Sequence, residues 1–343
     1  MVFGLDIFNK SSDKKKTLIK NKNTQSYYGH GKLLLSGEYF VLDGAKALAL
    51  PTTVGQKMEV TYSNSYDPIL TWKSYDVNGK LWFESKYEFW HFNCLDERPS
   101  DEAIFLQKIL RAAREQNKHF LRDEKNIEVE TKLGFPLEWG LGSSSTLVYN
   151  IAQWAYISPF ELQFKTYGGS GYDIACAGSD GPILYEKKSS GPNWSTLHFN
   201  PDFQDNIYFV YLGNKQDSRE AIEFYKSKRP HSPEKIMGIS KITEQITMAK
   251  TLEEFGFLLN AHEEIISTEL GLDKIKEKRF SDYWGSIKSL GAWGGDFILV
   301  TSDKSPRETK KYFQSKGCDV FIPYCEIIKS TKIEKEINNG ILQ

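Results

Sequence analysis

Cysteine is scarce in this sequence, with four among 343 residues. Cys94, Cys176, Cys318 and Cys325 contain no Cys-x-x-Cys pair. A disulfide framework or a zinc site of the common type needs more cysteines, or cysteines at closer spacing. We therefore expect reduced, partly buried thiols.

Long apolar runs and an excess of one charge are also missing. No stretch approaches the roughly 20 apolar residues that cross a bilayer, and residues 1–20 lack the continuous apolar core of a secretion signal. Lys and Arg number 44 against 45 Asp and Glu, so the chain offers no broad positive field to a nucleic acid. These absences predict a cytoplasmic protein that binds neither membranes nor nucleic acid.

The sequence is rich in residues that can form a folded core, because 40% of its residues are hydrophobic and 14% are aromatic. Disordered chains lack such residues. At about 150 residues per domain, the length predicts two domains. We expect a flexible, Lys-rich lead over 1–24, an amino-terminal domain over 25–195 and a carboxy-terminal domain over 196–343.

Apolar periodicity predicts mixed strands and helices, which is the α+β fold class. In the first half we expect two strands within 28–44 on either side of Ser36-Gly37, a strand over 54–62, a helix over 101–118 and a strand over 127–131. The helix has an expected inner face of Ile104, Ile109, Leu110 and Ala113. In the second half we expect strands over 207–212, 297–300 and 320–323 and helices over 218–228, 233–249, 252–270 and 306–316, with a further helix from 281.

The segment Gly140-Leu-Gly-Ser-Ser-Ser145 joins a strand to a helix whose apolar residues begin at Leu147. Glycines let a ligand approach the backbone, and the amino terminus of a helix attracts phosphate. The spacing matches neither the P-loop nor the dinucleotide fingerprint. The segment is therefore either a phosphate cradle or a simple turn, with a serine at the helix N-cap.

A second glycine-rich turn, Gly168-Gly-Ser-Gly-Tyr-Asp173, presents an acidic residue before a run of small residues. Aspartate in such a turn commonly caps the local backbone. It can equally act as a general base, because the glycines let a substrate come close.

Three separated segments together resemble the three motifs of the GHMP kinases, a family of small-molecule kinases. They are 31–39 (GKLLLSGEY), 140–145 (GLGSSS) with 170–175 (SGYDIA), and 291–296 (GAWGGD). They occur in the family's order, and the resemblance covers about residues 27–330. It implies a two-domain fold, with a left-handed βαβ unit in the amino-terminal domain, a ferredoxin-like carboxy-terminal domain, and ATP and the acceptor between them.

The resemblance also implies roles for individual residues. The loop that binds the ATP phosphates would be Gly140, Leu141, Gly142, Ser143, Ser144 and Ser145. Asp173 would take the proton of the acceptor hydroxyl beside Lys32, and the Ser144 hydroxyl would bind Mg²⁺. The third-motif loop would comprise Gly291, Ala292, Gly294 and Gly295.

Some positions depart from the family's pattern. The carboxylate that completes the Mg²⁺ site has no clear match, so Glu161, Asp296 or water takes that place. His30 stands where proline is usual and is interpreted as a tolerated loop residue, and Trp293 replaces a glycine. His262 is interpreted as a core or cleft-edge histidine rather than a catalytic one.

The resemblance predicts a kinase that uses ATP and Mg²⁺, with mevalonate or phosphomevalonate as its acceptor. Tyr39, Asp296 and the segment that follows Asp173 tilt the choice toward phosphomevalonate. Glu38, Ser218 and Arg219 are candidates for contacting the acceptor, although a solvated loop around Lys215 is an alternative for the last two. A sugar or homoserine kinase, or a catalytically silent sensor on the same fold, stays open. We expect a monomer or homodimer whose partner is the small acceptor.

Overall fold

The structure is a computed structural model and describes residues 23–122, 125–213, 218–291 and 296–331. Within these ranges the chain forms two β-sheets with helices packed against them, which confirms the α+β class. None of the helices in this part of the chain combines the length and apolar character needed to cross a membrane.

The first sheet contains seven of the described strands. They are β1 (Asn23–Ser36), β2 (Ala47–Asn64), β3 (Leu70–Tyr75), β4 (Leu81–Tyr87), β5 (Lys125–Leu133), β6 (Ile183–Lys188) and β7 (Gly191–Thr196). The order is β4-β3-β5-β2-β6-β7, with β1 also paired to β2. The β3–β5 pair is parallel and the others are antiparallel.

Four helices belong to the same half of the chain: α1 (Asp101–Gln116), α2 (Ser143–Ala155), α3 (Pro159–Thr166) and α4 (Tyr172–Ala177). The predicted inner face of α1 is confirmed for Ile109, Leu110 and Ala113, which are buried. It is wrong for Ile104, which is 54% exposed. Leu106 is buried instead, because it lies two residues further along the helix and therefore about 200° around the axis from Ile104.

The second half forms a four-stranded antiparallel sheet of order β11-β8-β10-β9. Its strands are β8 (Ile207–Tyr211), β9 (Ile287–Leu290), β10 (Phe297–Thr301) and β11 (Phe321–Pro323). The helices are α5 (Ser218–Ser227), α6 (Pro233–Met248), α7 (Leu252–Leu270), α8 (Ile275–Arg279), α9 (Pro306–Ser315) and α10 (Tyr324–Ile327). The helix predicted from 281 is wrong, because β9 lies there. All four residues of β9 are buried, so the strand lacks the alternation that reveals a half-buried strand.

The second strand predicted within 28–44 is also wrong. Phe40–Asp43 is a 3-10 turn, and the strand that pairs with β1 begins only at Ala47. Gly37 has φ +92°, and a Cβ on it would lie 2.7 Å from the Ala47 Cα. Glycine therefore allows the chain to leave β1 sharply, and Phe40 then packs into a buried cluster with Tyr225 of α5.

One of the hydrophobic clusters is a core that the two sheets share. It joins leucines of β1 and β2 to apolar residues of β8, β10 and α7, among them Leu33, Leu35, Leu48, Leu50, Phe209, Leu258, Leu259 and Leu299. Residues from both halves of the chain therefore meet around a common interior, and the candidate site lies beside it.

Candidate active site

The glycine-rich loop packs against the first-motif strand. Gly140 and Gly142 have φ of +64° and +91°, conformations that side-chain-bearing residues rarely adopt. The backbone N–H of Lys32 donates to the Leu141 carbonyl oxygen at 2.9 Å. A Cβ on Gly142 would lie 3.3 Å from the Lys32 Cγ and 2.7 Å from the Ser145 Oγ. The loop and Lys32 are therefore one packed unit.

The helix after the loop starts differently from the prediction. Its N-cap is Gly142, not a serine, and no side chain caps it. The Ser145 hydroxyl is buried and donates to the Gly142 carbonyl at 2.8 Å, whereas the Ser144 side chain is exposed. The first amides of a helix have no intrahelical partner, so this end of α2 offers backbone N–H groups together with the Ser144 hydroxyl.

Asp173 lies in the first turn of α4, which follows Gly171 in a left-handed conformation. The Gln163 amide nitrogen donates to both carboxylate oxygens, at 3.1 and 3.2 Å, and the Ile174 N–H donates to Oδ1 at 3.1 Å. Neighbouring Tyr172 places its ring 5.7 Å from the Lys32 Nζ. The base and the lysine implied by the motifs thus belong to one half-buried neighbourhood.

The pKa values of Asp173 and Lys32 depend on the burial of both side chains and on the charge that each exerts on the other. Burial raises the pKa of the Asp173 carboxyl above its usual value, although the Gln163 hydrogen bonds and the Lys32 charge act in the opposite direction. Burial by itself lowers the pKa of Lys32, but Tyr172 and Asp173 outweigh it and the net pKa is raised. A carboxyl with a raised pKa beside a fixed ammonium suits proton transfer.

A small pocket opens next to these residues, and both halves of the chain line it. The lining residues are Lys32, Leu34, Glu38, Tyr39, Val41, Leu42, Ser170, Tyr172, Ile222 and Gly291. They come from β1, the 3-10 turn, the second glycine-rich turn, α5 and the residue after β9. All three sequence motifs therefore contribute to one pocket.

Glu38, predicted to contact the acceptor, forms part of the pocket wall and is only 3% exposed. Its Oε1 lies 2.6 Å from the Nζ of Lys288 in β9. Ser218 and Arg219 are the first residues of α5, but their side chains lie outside the described part of the structure, as does Lys215. Their predicted contacts with the acceptor stay predictions.

The third motif is described only at its two ends. Gly291 lines the pocket, while Ala292, Gly294 and Gly295 lie outside the described residues, as does Trp293. Asp296 is 9% exposed, and a Cβ on Gly140 would lie 1.9 Å from its Oδ2. The third motif therefore meets the second at this point.

The two acids proposed for Mg²⁺ differ in position. Glu161 is exposed in the first turn of α3, where its N–H bonds to the Ser158 hydroxyl. Asp296 instead lies against the glycine loop and is one of the charges that raise the Lys32 pKa. The described residues contain no group of three His, Cys, Asp or Glu side chains that would hold a metal ion by themselves.

His30 and His262 occupy different environments. His30 lies in β1, so its interpretation as a loop residue is wrong; its Nδ1 is 2.9 Å from the Thr52 carbonyl oxygen and its Nε2 is 2.7 Å from the Lys329 Nζ. His262 is completely buried in α7, as expected of a core histidine.

Sequence reasoning missed Gln163 and Lys288. Gln163 is ten residues from Asp173 in a neighbouring helix, and Lys288 precedes the third motif by three positions. Lys288 carried only a weak signal: it lies in the short segment Ile-Lys-Ser-Leu, and its ammonium needs a partner if that segment is buried. Gln163 carried none.

No protein-family model and no curated protein matches the sequence. Solved structures match over most of their length: L. major mevalonate kinase in complex with R-mevalonate has a TM-score of 0.65 at 16% identity, covering 92% of this chain and 99% of that one.

Two further structures agree. The Methanococcus jannaschii mevalonate kinase has a TM-score of 0.66 at 14% identity, with 90% of this chain and 98% of that one covered. The Streptococcus pneumoniae phosphomevalonate kinase in complex with phosphomevalonate and AMPPNP has a TM-score of 0.62 at 17% identity, with 86% and 98% covered. The chain therefore has the GHMP kinase fold, as its three motifs indicate.

Proposed function

We propose that this chain is an ATP- and Mg²⁺-dependent kinase that transfers the γ-phosphoryl group of ATP to a hydroxyl or phosphate of a small acceptor. The observation that carries the proposal is the packing of Lys32 against the glycine loop on one side and near Asp173 on the other. Phosphoryl transfer depends mainly on positioning and charge neutralisation, and these residues supply both.

For a hydroxyl acceptor, Asp173 is the general base. The acceptor oxygen forms a bond to the γ-phosphorus, the bond from that phosphorus to the β–γ bridging oxygen breaks, and ADP leaves. The hydroxyl proton passes to the Asp173 carboxylate, whose raised pKa increases its proton affinity. Lys32 keeps its charge and stabilises the developing negative charge.

The loop residues 140–145 and the start of α2 are suited to hold the ATP phosphates through backbone N–H groups. Two oxygen donors stand at this loop, the exposed hydroxyl of Ser144 and the carboxylate of Asp296. They fit Mg²⁺, which takes a few protein oxygens together with phosphates and water. Bound there, Mg²⁺ would neutralise phosphate charge and orient the γ-phosphoryl group. The exposed position of Glu161 makes Asp296 the better candidate of the two acids.

Mevalonate and phosphomevalonate are the acceptors to test first. Similar structures carry R-mevalonate in one case and phosphomevalonate in another. The pocket combines the Lys32 ammonium and Glu38 with apolar walls from Leu34, Val41 and Ile222, which suits a small molecule that is polar at one end. A phosphate acceptor would need further cations, for which Arg219 of α5 is the candidate.

The proposal includes the predicted architecture of two domains, 25–195 and 196–343, in a cytoplasmic monomer or homodimer. A βαβ unit is supported by the parallel β3–β5 pair, between which β4 and α1 intervene, and its left hand is part of the proposal that rests on the resemblance alone. A ferredoxin-like second domain is supported by the order β11-β8-β10-β9, in which the first and third strands are central. The lead over 1–24 lies outside the described residues up to position 22.

A coupled ADP-release assay tests the function. Mevalonate, phosphomevalonate, homoserine and several sugars are supplied separately to the full chain with ATP and Mg²⁺. We expect ADP release with one acceptor and little release with the others. An Asp173→Asn protein assayed in parallel identifies release that depends on the proposed base. If the chain binds ATP but none of these compounds stimulates ADP release, the proposal is contradicted and a sensor is favoured.

A further inference from the structure

Four ionisable side chains form a buried group beneath the pocket. They are Glu38, His262, Glu263 and Lys288, and none is more than 3% exposed. Glu38 precedes the 3-10 turn, His262 and Glu263 belong to α7, and Lys288 belongs to β9. The group therefore joins the first-motif segment to the second sheet.

Lys288 is the centre of this group. Its Nζ lies 2.6 Å from the Glu38 Oε1, 3.8 Å from the Glu263 Oε1 and 2.9 Å from the Ser289 carbonyl oxygen. Glu263 accepts from the Ser289 N–H at 3.2 Å and approaches the Ser289 hydroxyl at 3.3 Å. The close ion pair is thus Lys288 with Glu38, and Glu263 stands farther from the ammonium.

The charges in the group do not balance when both carboxyls are ionised. His262 contributes no positive charge, because its Nε2 accepts from the Gly37 N–H at 3.0 Å, and burial together with Lys288 lowers its pKa well below the usual value. A single ammonium then faces two buried carboxyls. An unpaired carboxylate in such a place is costly, so one carboxyl retains a proton.

The distances favour Glu263 as the carboxyl that retains it. Burial raises the pKa of Glu38 as well, but its short contact to Lys288 and the Lys32 charge oppose this and favour its ionised form. Burial raises the pKa of Glu263 to about 8; the Glu38 charge adds to the shift, while Lys288 and Ser289 oppose it. Lys288 and Ser289 of β9 and Glu38 of the first-motif segment thus act on Glu263, and His262, its neighbour in α7, lies 3.3 Å from Glu38 through its Nε2.

We propose that Glu263 is held as a neutral carboxylic acid and that it and Lys288 act as positioning residues, which fix Glu38 in the pocket wall and bind the first motif to the strand preceding the third. β9 ends at Leu290, and the next residue, Gly291, lines the same pocket as Glu38. A shift of Lys288 would therefore disturb two walls of the pocket together.

Unfolding of the ligand-free chain tests the proposal without reference to catalysis. Urea titrations from pH 5.5 to 8.5 compare wild type with Glu263→Gln, which keeps the shape of the neutral acid and has no proton to lose. The matched control is Glu264→Gln, the next residue of α7, which is exposed and pairs with Lys274.

The sign of the expected effect follows from linkage. The folded chain keeps the Glu263 proton up to a pKa of about 8, whereas the unfolded chain releases it near the ordinary glutamate value. Wild type therefore loses stability as the pH rises through this interval. The folding equilibrium constant of Glu263→Gln divided by that of wild type should therefore increase with pH, by up to about tenfold per pH unit, and level off above pH 8. A ratio as flat as that of Glu264→Gln would overturn the proposal.

Two further measurements keep the proposal testable if Glu263→Gln folds poorly. Infrared spectroscopy of wild type at pH 7 should show the carbonyl band of a buried protonated carboxyl, which titrates away near pH 8; its absence would contradict a neutral Glu263. Lys288→Met should be destabilised, and adding Glu38→Gln should restore much of the loss, because that change removes the carboxylate left unpaired. A double variant no more stable than Lys288→Met would overturn the assigned ion pair.

The positioning role has an activity test that rests on the proposed function. For wild type, kcat/KM should fall as the pH rises above about 8, since ionised Glu263 competes with Glu38 for Lys288, and this fall should be absent in Glu263→Gln. A fall that persists unchanged in the variant would overturn the positioning role. Absence of any kinase activity would count against the proposed function, while the unfolding experiment still decides the state of Glu263.

Discussion

The Oδ2 atom of Asp296 lies 1.9 Å from the point that a β-carbon on Gly140 would occupy. Gly140 and Asp296 are 156 positions apart in the sequence, and they can approach this closely only because glycine has no side chain. The contact joins the third motif to the loop proposed for the ATP phosphates, so the loop has no room for even a methyl group at this position.

Gly140→Ala should therefore impair nucleotide binding beyond its effect on stability. The substitution adds both a left-handed backbone penalty, at φ +64°, and a collision with Asp296. Gly317→Ala is the matched control, because Gly317 has φ +81° with nothing within 4 Å of its would-be Cβ. We expect Gly317→Ala to lose about 1 kcal/mol of stability and Gly140→Ala to lose more because of the collision. Only Gly140→Ala should lose tenfold or more in ATP affinity, measured by calorimetry. If the two variants bound ATP equally well, the assignment of loop 140–145 to the ATP phosphates would be contradicted.

Asp173→Asn should separate catalysis from folding. With a hydroxyl acceptor, loss of the base should lower kcat by about 10²- to 10⁴-fold. A phosphate acceptor is mostly ionised at neutral pH and needs the base less, so a much smaller loss would point to phosphomevalonate. Because burial raises the pKa of Asp173, the ionised carboxylate costs stability, and the variant should unfold no earlier than wild type at pH 8. Exposed Asp202 supplies the control, Asp202→Asn.

Gln163→Leu should shift the acidic limb of the pH–rate profile. The Gln163 amide donates to both oxygens of Asp173 and holds its pKa down. Without these bonds the pKa rises further, so kcat/KM should begin to fall at a higher pH when the solution is acidified. Gln314→Leu, at an exposed position of α9, should leave the limb in place. A limb that stays unchanged in Gln163→Leu would show that Asp173 does not govern it.

Lys329→Met tests the contact between the end of the described chain and β1. The Lys329 ammonium lies 2.7 Å from the His30 Nε2 and 2.9 Å from the Asp180 Oδ1. We expect a loss of about 1 kcal/mol at pH 7.5 from these partly exposed contacts, measured by urea unfolding against exposed Lys310→Met.

The loss should shrink as the pH falls toward 5. Burial and then the Lys329 charge lower the pKa of His30, so the fold favours neutral His30 and is weakened below about pH 6.5, where the unfolded chain takes up a proton. Removing Lys329 relieves part of this penalty. If the difference in unfolding free energy between Lys329→Met and wild type widened on acidification, the assigned contact between Lys329 and His30 would be contradicted.

The sequence is informative wherever a function depends on consecutive residues. Gly140 and Gly142 could be recognised because their left-handed conformations belong to a short loop, and Asp173 stood out because glycines precede it. Placing these segments at one site required the order of the three motifs and the resemblance that it supports. Local spacing alone left a simple turn open for both.

What could not be predicted depends on contacts between distant segments. The Lys288–Glu38 pair joins positions 250 apart, and Gln163 reaches Asp173 from another helix. Phe40–Asp43 has the composition of a strand, yet Gly37 turns the chain out of the sheet and Phe40 finds its partners in α5. Tertiary packing outweighs local propensity at such places.

The core shared by the two sheets has a consequence for how the molecule can be divided. Leu33, Leu35, Leu48 and Leu50 are buried against residues that come after position 206. A fragment that ends at β7 would expose these leucines to water and would be prone to aggregation. The two halves of the chain therefore depend on each other to bury these leucines, so insertions should be better tolerated at exposed loops than where the halves meet.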